Sequence, residues 1–182
     1  METRRAIFLD RDGVINEPVV RNGKPYPPAH PDEVKLVANA AESLRQLKER
    51  GFLLIVVTNQ PDVRRGTTRR ETVEQIHAAL RSQLPIDDFF ACYHDDEDRC
   101  QCRKPLPGLL LEASRKYGIN IGRSFLIGDR WRDIEAGAVA GCRTIWIDYG
   151  YKEQKPKHLP DATVFSLAEA VNWIVTQEVS FH

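Results

Sequence analysis

AIFLDRDGV, residues 6–14, is an apolar run that stops abruptly at two aspartates, Asp10 and Asp12. Residues 4–10 have the composition of a buried β-strand, and Gly13 permits a tight turn directly after it. Because ligands of open α/β sheets bind at the carboxyl ends of the strands, both carboxylates are placed for chemistry. They suit a nucleophile and an acid/base beside a divalent cation, although a plain polar turn would explain this stretch taken alone.

Strand-like and helix-like segments alternate along the rest of the chain. Apolar runs predict buried strands over residues 52–57, 89–93, 124–128 and 143–147. Amphipathic or alanine-rich segments predict helices over residues 39–50, 68–80, 107–117, 132–140 and 166–177. This alternation predicts a doubly wound α/β fold with a mainly parallel sheet, and we expect one domain over residues 1–182.

Local signals refine this outline. Two of the helices begin with a pattern typical of a capping box, at Asn39–Glu42 and Thr68–Glu71, and Ser166–Glu169 is expected to cap the last helix. Residues 11–34 are rich in proline, glycine and charge, so we expect a long functional loop there. Residues 150–162 are expected to form an irregular connection.

Length and charge exclude several classes of protein. The 182 residues suffice for one domain with a substantial core, and hydrophobic residues make up 42 % of them. Lysine plus arginine and aspartate plus glutamate each number 26, so the formal net charge is zero. A binder of nucleic acids or membrane surfaces would need a basic face, which this balance argues against. No apolar run is long enough to span a membrane and no export signal is recognised, so we expect a cytoplasmic protein. We also expect a monomer.

Two further groups of side chains are suited to phosphate. Thr58, Asn59 and Gln60 follow the apolar run 52–57, where a hydroxyl and backbone amides can donate to phosphate oxygens. Lys104 is a compact cation that suits a phosphoryl group, and Arg103 beside it can bind one through two hydrogen bonds. Each group also has a simpler explanation, namely a polar strand end or a solvated pair of cations.

A second pair of carboxylates follows the predicted strand 124–128. Asp129 ends that strand and Asp133 lies four residues further on, so both face the same side if a helix begins here. Such a pair suits Mg²⁺, which prefers few carboxylates together with water and substrate phosphate. The competing explanations are an N-cap for Asp129 and a first-turn acid for Asp133.

Three of the four cysteines lie within eleven residues, beside a histidine. Without an export signal, this clustering favours a metal site over a set of disulfides. Cys92, His94, Cys100 and Cys102 would fill a tetrahedral Zn²⁺ shell and leave no open position for catalysis. We therefore expect a structural zinc site that presents the two basic residues after it, and a small core residue at Cys142.

The order of these motifs resembles the haloacid dehalogenase-like superfamily of aspartate-nucleophile phosphatases. The segments FLDRDGVIN (8–16), VTNQ (57–60), CRKPLPG (102–108) and IGDR (127–130) are similar to one branch of it. That branch contains D-glycero-D-manno-heptose 1,7-bisphosphate phosphatase and histidinol-phosphate phosphatase, and a zinc loop is typical of it. The resemblance spans residues 6–150 and implies a Rossmann-like fold without a large cap domain.

The resemblance also implies a catalytic centre. Asp10 would be the nucleophile that forms an aspartyl-phosphate, and Asp12 would be the acid/base. Mg²⁺ would be held by the carboxylates of Asp10 and Asp129 and by the backbone carbonyl of Asp12. Asp133 would orient Lys104 or a metal-bound water.

Further residues would contact the phosphoryl group and the substrate. Thr58 and Lys104, together with Mg²⁺, would stabilise charge on the phosphoryl oxygens. The expected substrate contacts are Arg11, Asn16, Asn59, Gln60, Arg103 and Lys104.

These roles describe a Mg²⁺-dependent phosphatase of a small phosphorylated sugar. We expect it to remove the C7 phosphate of D-glycero-D-manno-heptose 1,7-bisphosphate, with histidinol phosphate as the alternative substrate. A second anionic group would be held by Arg21, Lys24, Arg64 or Arg65. A phospho-accepting regulatory module is an alternative of another class, but a built-in acid/base argues against it. A zinc-stapled nucleic-acid-binding module is a third, which the neutral charge argues against.

Overall fold

A computed structural model describes residues 4–179. The expected single domain, residues 1–182, extends three residues further at each end, so its bounds stay a prediction. The strands and helices are β1 (Ala6–Leu9), β2 (Val19–Arg21), β3 (Lys24–Tyr26), α1 (Ala40–Glu49), β4 (Leu53–Asn59), α2 (Arg70–Gln83), β5 (Asp88–Cys92), α3 (Gly108–Tyr117), β6 (Phe125–Gly128), α4 (Trp131–Ala140), β7 (Arg143–Ile147), β8 (Ala162–Val164) and α5 (Leu167–Val179). Single 3₁₀ turns occur at Pro31–Glu33, Asp96–Asp98 and Ile121–Arg123.

Six strands form one parallel sheet in the order β5-β4-β1-β6-β7-β8. β1 lies at its centre, where Phe8 pairs with Ile55 of β4 and with Leu126 of β6. All four residues of β1 are fully buried, which explains their uninterrupted apolar character. The aspartates after β1 therefore lie at the middle of the carboxyl edge of the sheet.

Helices cover both faces of the sheet, which confirms the predicted doubly wound α/β fold. Ile7 and Leu9 point into a core shared with α1, α2 and α5. Ala6 and Phe8 point to the opposite face, into a second core with α3 and α4. This alternation is the period of two that side chains follow along a strand. No helix within residues 4–179 is long and apolar enough to cross a membrane.

Two predicted loops contain strands. The prediction of an irregular segment over 11–34 was incomplete, because β2 and β3 form an antiparallel hairpin there. Asn22 and Gly23 form its turn with φ of 52° and 75°, the left-handed geometry that favours Asn-Gly in tight hairpins. In the predicted connection 150–162, the last residue begins β8, which extends the sheet beyond β7.

Both capping-box predictions were wrong, whereas the predicted cap at Ser166 is present. Asn39 precedes α1 but has φ of 59° and makes no side-chain cap, and α2 is preceded by Arg69, which makes none either. Ser166 does cap α5, since its Oγ accepts from the amide of Glu169 at 3.1 Å. The carboxylate of Glu169 accepts from the amide of Phe165, one residue earlier than a capping box requires.

Candidate active site

The carboxyl edge of the central strands opens into a cavity of about 400 Å³. The two aspartates after β1 lie at its base, beside Lys104 and Asp133. The β2–β3 hairpin, residues 59–62 and the start of α4 form its walls. Segments far apart in sequence thus meet at one point, as their positions after parallel strands predict.

Lys104 links the predicted nucleophile, Asp10, to Asp133. Its Nζ donates to Asp10 Oδ1 at 2.9 Å, to Asp133 Oδ1 at 2.5 Å and to the carbonyl of Val57 at 2.8 Å. These three acceptors satisfy the whole ammonium group, which is buried. Burial lowers the pKa of Lys104, but attraction to the two carboxylates outweighs it and raises the pKa overall. Lys104 therefore carries its charge at any physiological pH.

The carboxylate of Asp12 is held by hydrogen-bond donors from three side chains. Its carboxylate accepts from Arg11 Nη2 at 3.0 Å, from Asn16 Nδ2 at 2.9 Å and from Gln60 Nε2 at 3.0 Å. Burial raises the pKa of Asp12, but Arg11 and these hydrogen bonds lower it further, so the net shift is downward. By contrast, burial and the nearby Asp133 raise the pKa of Asp10 to about 6. The two carboxylates that follow β1 thus have different electrostatic surroundings.

Asp129 is buried beside this pair. Its Oδ2 accepts from the hydroxyl of Tyr151 at 2.9 Å, whereas Oδ1 has no hydrogen-bond partner among residues 4–179. A Cβ on Gly13 would lie 2.0 Å from Oδ2, and φ of Gly13 is +87°, so only glycine fits there. Burial, followed by repulsion from Asp10 and Asp133, raises the pKa of Asp129 well above its usual range.

The carboxylate cluster fits a divalent cation. Asp10, Asp129 and Asp133 each offer an oxygen within 4.8 Å of the others, and Lys104 neutralises only part of their charge. Asp129 Oδ1 is buried and has no hydrogen-bond partner among the described residues, so it is available as an oxygen ligand. Hard oxygen ligands, few in number and beside an open cavity, are what Mg²⁺ prefers. Asp133 is engaged by Lys104 and, through Oδ2, by the amide of Arg130 at 3.0 Å, which leaves it less free.

Two of the predicted substrate contacts lie outside the cavity lining. Arg11 and Asn16 are fully buried, and their side chains donate to Asp12. Asn59 and Gln60 do line it. Asn59 also fixes Lys104, because its side chain donates to the Lys104 carbonyl and accepts from the Lys104 amide, both at 3.0 Å.

Arg103 lines the same cavity, whereas Thr58 is not part of its lining. Thr58 is buried beneath Gln60, and its Oγ1 accepts from Gln60 Nε2 at 2.9 Å. Arg103 lines the cavity wall and donates from Nε to Asp96 at 2.8 Å. Asp96 belongs to the segment between the zinc-type ligands, so that segment holds Arg103 in place.

Cys92, His94, Cys100 and Cys102 meet immediately after β5. The three sulfurs lie 3.2 to 3.7 Å apart, and His94 Nδ1 lies 3.3 Å from Cys102 and 3.6 Å from Cys92. Zn–S bonds of about 2.3 Å would place sulfurs roughly 3.8 Å apart in a tetrahedron, close to these values. The four side chains therefore fit a closed zinc site. Cys142 lies elsewhere, in the core, as predicted.

Several residues around the site were missed by the sequence analysis. Tyr149 donates to the carbonyl of Gly13 at 2.9 Å, Tyr151 reaches Asp129, and Trp146 Nε1 donates to the carbonyl of Asp129 at 3.3 Å. Pro25, Tyr26 and Pro27 of the hairpin segment line the cavity. The Asn-Gly turn could have predicted the hairpin. The segment Tyr149–Tyr151 has no sequence pattern that indicates which residues it contacts.

Comparison with known proteins identifies the family. A family model described as haloacid dehalogenase-like hydrolase matches residues 26–141. The D-glycero-beta-D-manno-heptose-1,7-bisphosphate 7-phosphatase of Helicobacter pylori strain J99 is 31 % identical over 180 residues, covering 94 % of this chain and 98 % of that protein. The enzyme of the same name from Yersinia pestis is 33 % identical over 151 residues and covers 76 % and 77 %. The chain belongs to the haloacid dehalogenase-like hydrolase family.

A solved structure supports the same assignment. The D,D-heptose 1,7-bisphosphate phosphatase from Bordetella bronchiseptica, complexed with magnesium and phosphate, superposes with a TM-score of 0.77 at 26 % identity. The match covers 95 % of this chain and 99 % of that one. These relatives indicate a phosphatase and confirm the family resemblance. Mg²⁺ is the cofactor of this family of phosphatases, and the Cys/His cluster can bind zinc.

Proposed function

We propose that this phosphatase removes the C7 phosphate of D-glycero-D-manno-heptose 1,7-bisphosphate. The observation that carries the proposal is the meeting of Asp10, Asp12, Lys104 and Asp129 at one cavity. The relatives at about a third sequence identity that bear this enzyme's name support the choice of substrate.

Asp10 is the proposed nucleophile. One of its carboxylate oxygens attacks phosphorus, the bond from phosphorus to the sugar oxygen breaks, and an aspartyl-phosphate forms. Asp12 gives a proton to the departing alkoxide and then takes one from the water that hydrolyses the intermediate. The negative phosphoryl group would raise the pKa of Asp12 on binding, so the carboxylate could hold the proton that it must donate.

The remaining residues position the substrate and neutralise the charge on its phosphoryl group. Asp10, Asp129 and the backbone carbonyl of Asp12 would hold Mg²⁺, which when bound neutralises charge on the phosphoryl oxygens. Lys104 would stabilise the same oxygens, and its position is fixed by Asp133 and Asn59. Thr58, Gln60 and Arg103 are the proposed further contacts of the phosphoryl group and the sugar.

The cavity wall favours a substrate with a second anionic group. Of the four basic residues expected to hold one, Lys24 and Arg65 line this cavity, whereas Arg64 is not part of its lining and Arg21 lines another. Arg65 is already paired with Asp95. The backbone of Lys24 pairs with Arg21 in the hairpin, but its ammonium group has no hydrogen-bond or ion-pair partner in the part of the chain that the structure describes, so it is available for a second phosphate. Histidinol phosphate carries an amine instead, which Lys24 would repel.

A comparison of kcat/KM on the two substrates tests the assignment. We expect the heptose bisphosphate to be preferred by at least about tenfold, or about 1.4 kcal/mol of transition-state binding. The same preference for histidinol phosphate would overturn the choice of substrate.

We further propose a monomer located in the cytoplasm that binds no nucleic acid. Salt-sensitive DNA or RNA binding, or a phospho-enzyme that persists for minutes, would revive the alternatives of other classes.

A further inference from the structure

The segment Tyr149–Glu153 follows β7 and packs against the residues that surround Asp129. The hydroxyl of Tyr151 donates to Asp129 Oδ2 at 2.9 Å, and that of Tyr149 donates to the carbonyl of Gly13 at 2.9 Å. Tyr151 is half-buried, and its ring centroid lies 5.6 Å from that of Tyr149. Neither tyrosine has a part in the chemistry proposed above.

The segment is anchored on both sides of Tyr151. The amide of Lys152 donates to the carbonyl of Gly23 in the hairpin turn at 3.2 Å. Arg130, which precedes α4, donates from Nε to both carboxylate oxygens of Glu153, at 2.8 and 2.7 Å. These contacts fix the backbone around Tyr151, so its hydroxyl is held against Asp129 before any ligand binds.

The two oxygens of Asp129 therefore have different surroundings. Oδ2 has the tyrosine hydroxyl as a partner and lies against Gly13, while Oδ1 has no partner among the described residues. Asp10 and Asp133 lie close by and repel the carboxylate. Without a fixed donor on Oδ2, this repulsion would favour rotation of the carboxylate away from the cluster.

We propose that Tyr151 is a positioning residue for the Mg²⁺ site. Its hydroxyl binds one oxygen of Asp129 and so leaves the other oriented and free for the ion. Hydrogen bonds of this kind to metal-binding carboxylates contribute to metal affinity in many proteins. The inference rests on the proposed function in one respect, namely that Asp129 is a ligand of Mg²⁺.

The test is direct binding of Mg²⁺ to metal-free enzyme, with the zinc site intact. Isothermal titration calorimetry and the Mg²⁺-dependent rise in Tm are compared for the wild type and Tyr151→Phe. We expect the variant to bind Mg²⁺ about tenfold more weakly, and saturating Mg²⁺ to restore kcat to within about threefold of the wild type. Tyr117→Phe is the matched control, because its hydroxyl also binds a carboxylate, Asp88 Oδ2 at 2.6 Å, on a different part of the surface.

The outcomes separate this inference from the function on which it rests. If the wild type binds no Mg²⁺, the proposed metal site fails and the inference fails with it. If the wild type binds Mg²⁺ and Tyr151→Phe binds it within about twofold, only the role of Tyr151 is overturned.

A second measurement covers the case of an unstable variant. The wild-type enzyme with ¹³C-labelled tyrosine is titrated with Mg²⁺ and followed by NMR. One of the five tyrosine Cζ resonances should shift with the midpoint of Mg²⁺ binding. If none of them shifts, the inference is overturned without the variant.

Discussion

Three buried carboxylates, Asp10, Asp129 and Asp133, form one cluster, and the ammonium group of Lys104 contacts two of them. At the residue scale the site therefore has three negative groups and only one positive group in direct contact with them. The raised pKa values of Asp10 and Asp129 record how costly the extra negative charge is in a buried position. A bound divalent cation would supply the missing positive charge and keep the carboxylates ionised. The charge balance of the site thus favours a bound divalent cation, in agreement with Mg²⁺ as the cofactor of this family.

Lys24 offers a prediction at the same scale. We expect Lys24→Ala to lower kcat/KM on heptose 1,7-bisphosphate about tenfold, or about 1.4 kcal/mol, because the second phosphate loses its cation. On the 7-monophosphate the change should stay within about twofold. The two substrates are compared by steady-state kinetics, with Lys35→Ala, an exposed lysine outside the cavity lining, as the control. Equal losses on both substrates would rule out this role.

Some residues of the site could be predicted and others could not. Asp10 and Asp129 each follow an apolar strand at the sheet centre, so their meeting could be predicted from the run of hydrophobic residues alone. The burial of Arg11 and Asn16 against Asp12 could not be predicted, because closeness in sequence does not show whether a side chain points toward the cavity or into the core. Tyr151 lies in a segment without periodicity, and only the fold brings it to Asp129.

At the scale of elements, long apolar runs were predicted more reliably than helix starts. β4 and β6 follow directly from hydrophobic strand patterns, because nearly complete burial leaves little choice of residue. The starts of α1 and α2 were wrong in detail, since a capping pattern specifies possible hydrogen bonds while the incoming chain direction decides whether they form. The β2–β3 hairpin was missed although its Asn-Gly turn was visible in the sequence.

The packing of α2 against β5 predicts a pH dependence of stability. His77 of α2 is buried and stacks on Phe89 of β5 with ring centroids 4.5 Å apart. Burial, followed by the charge of Arg11, lowers the pKa of His77 to about 4. In the unfolded chain a histidine titrates near pH 6.5. The unfolded state therefore binds more protons between these values, and stability falls as the pH falls.

We expect this histidine to account for a loss of about 2 to 3 kcal/mol between pH 7 and pH 4.5. Urea unfolding at several pH values is compared for the wild type and His77→Gln. The difference in unfolding free energy between the two proteins should shrink as the pH falls, since only the wild type carries the buried imidazole. Parallel curves would show that His77 does not titrate as proposed.

On the scale of the whole molecule, the zinc-type loop connects regions that are distant in sequence. The turn Asp95–Asp98 forms ion pairs with Arg64 and Arg65 after β4, with Arg103, and with Arg132 of α4. These pairs are largely exposed, so each contributes little by itself. A metal that clamps the loop would hold them together and place Arg103 and Lys104 at the cavity.

We predict that Cys102→Ser loses bound zinc, lowers the free energy of unfolding by several kcal/mol and reduces activity as a consequence. Zinc content by mass spectrometry should fall from about one ion per chain, and Tm should fall with it. Cys142→Ala removes a cysteine outside the cluster and should keep its zinc. A zinc-free Cys102→Ser protein with unchanged Tm would contradict the structural role.

The central claim is that Asp10 becomes transiently phosphorylated, and one measurement tests it most directly. The enzyme is mixed with heptose 1,7-bisphosphate and Mg²⁺, quenched in acid within the first turnover, digested and analysed by mass spectrometry. We predict one phosphoryl group on the peptide that contains Asp10, and neither phosphorylation nor turnover in a folded Asp10→Asn variant. A phosphoryl group on another residue, or turnover by Asp10→Asn, would contradict the account.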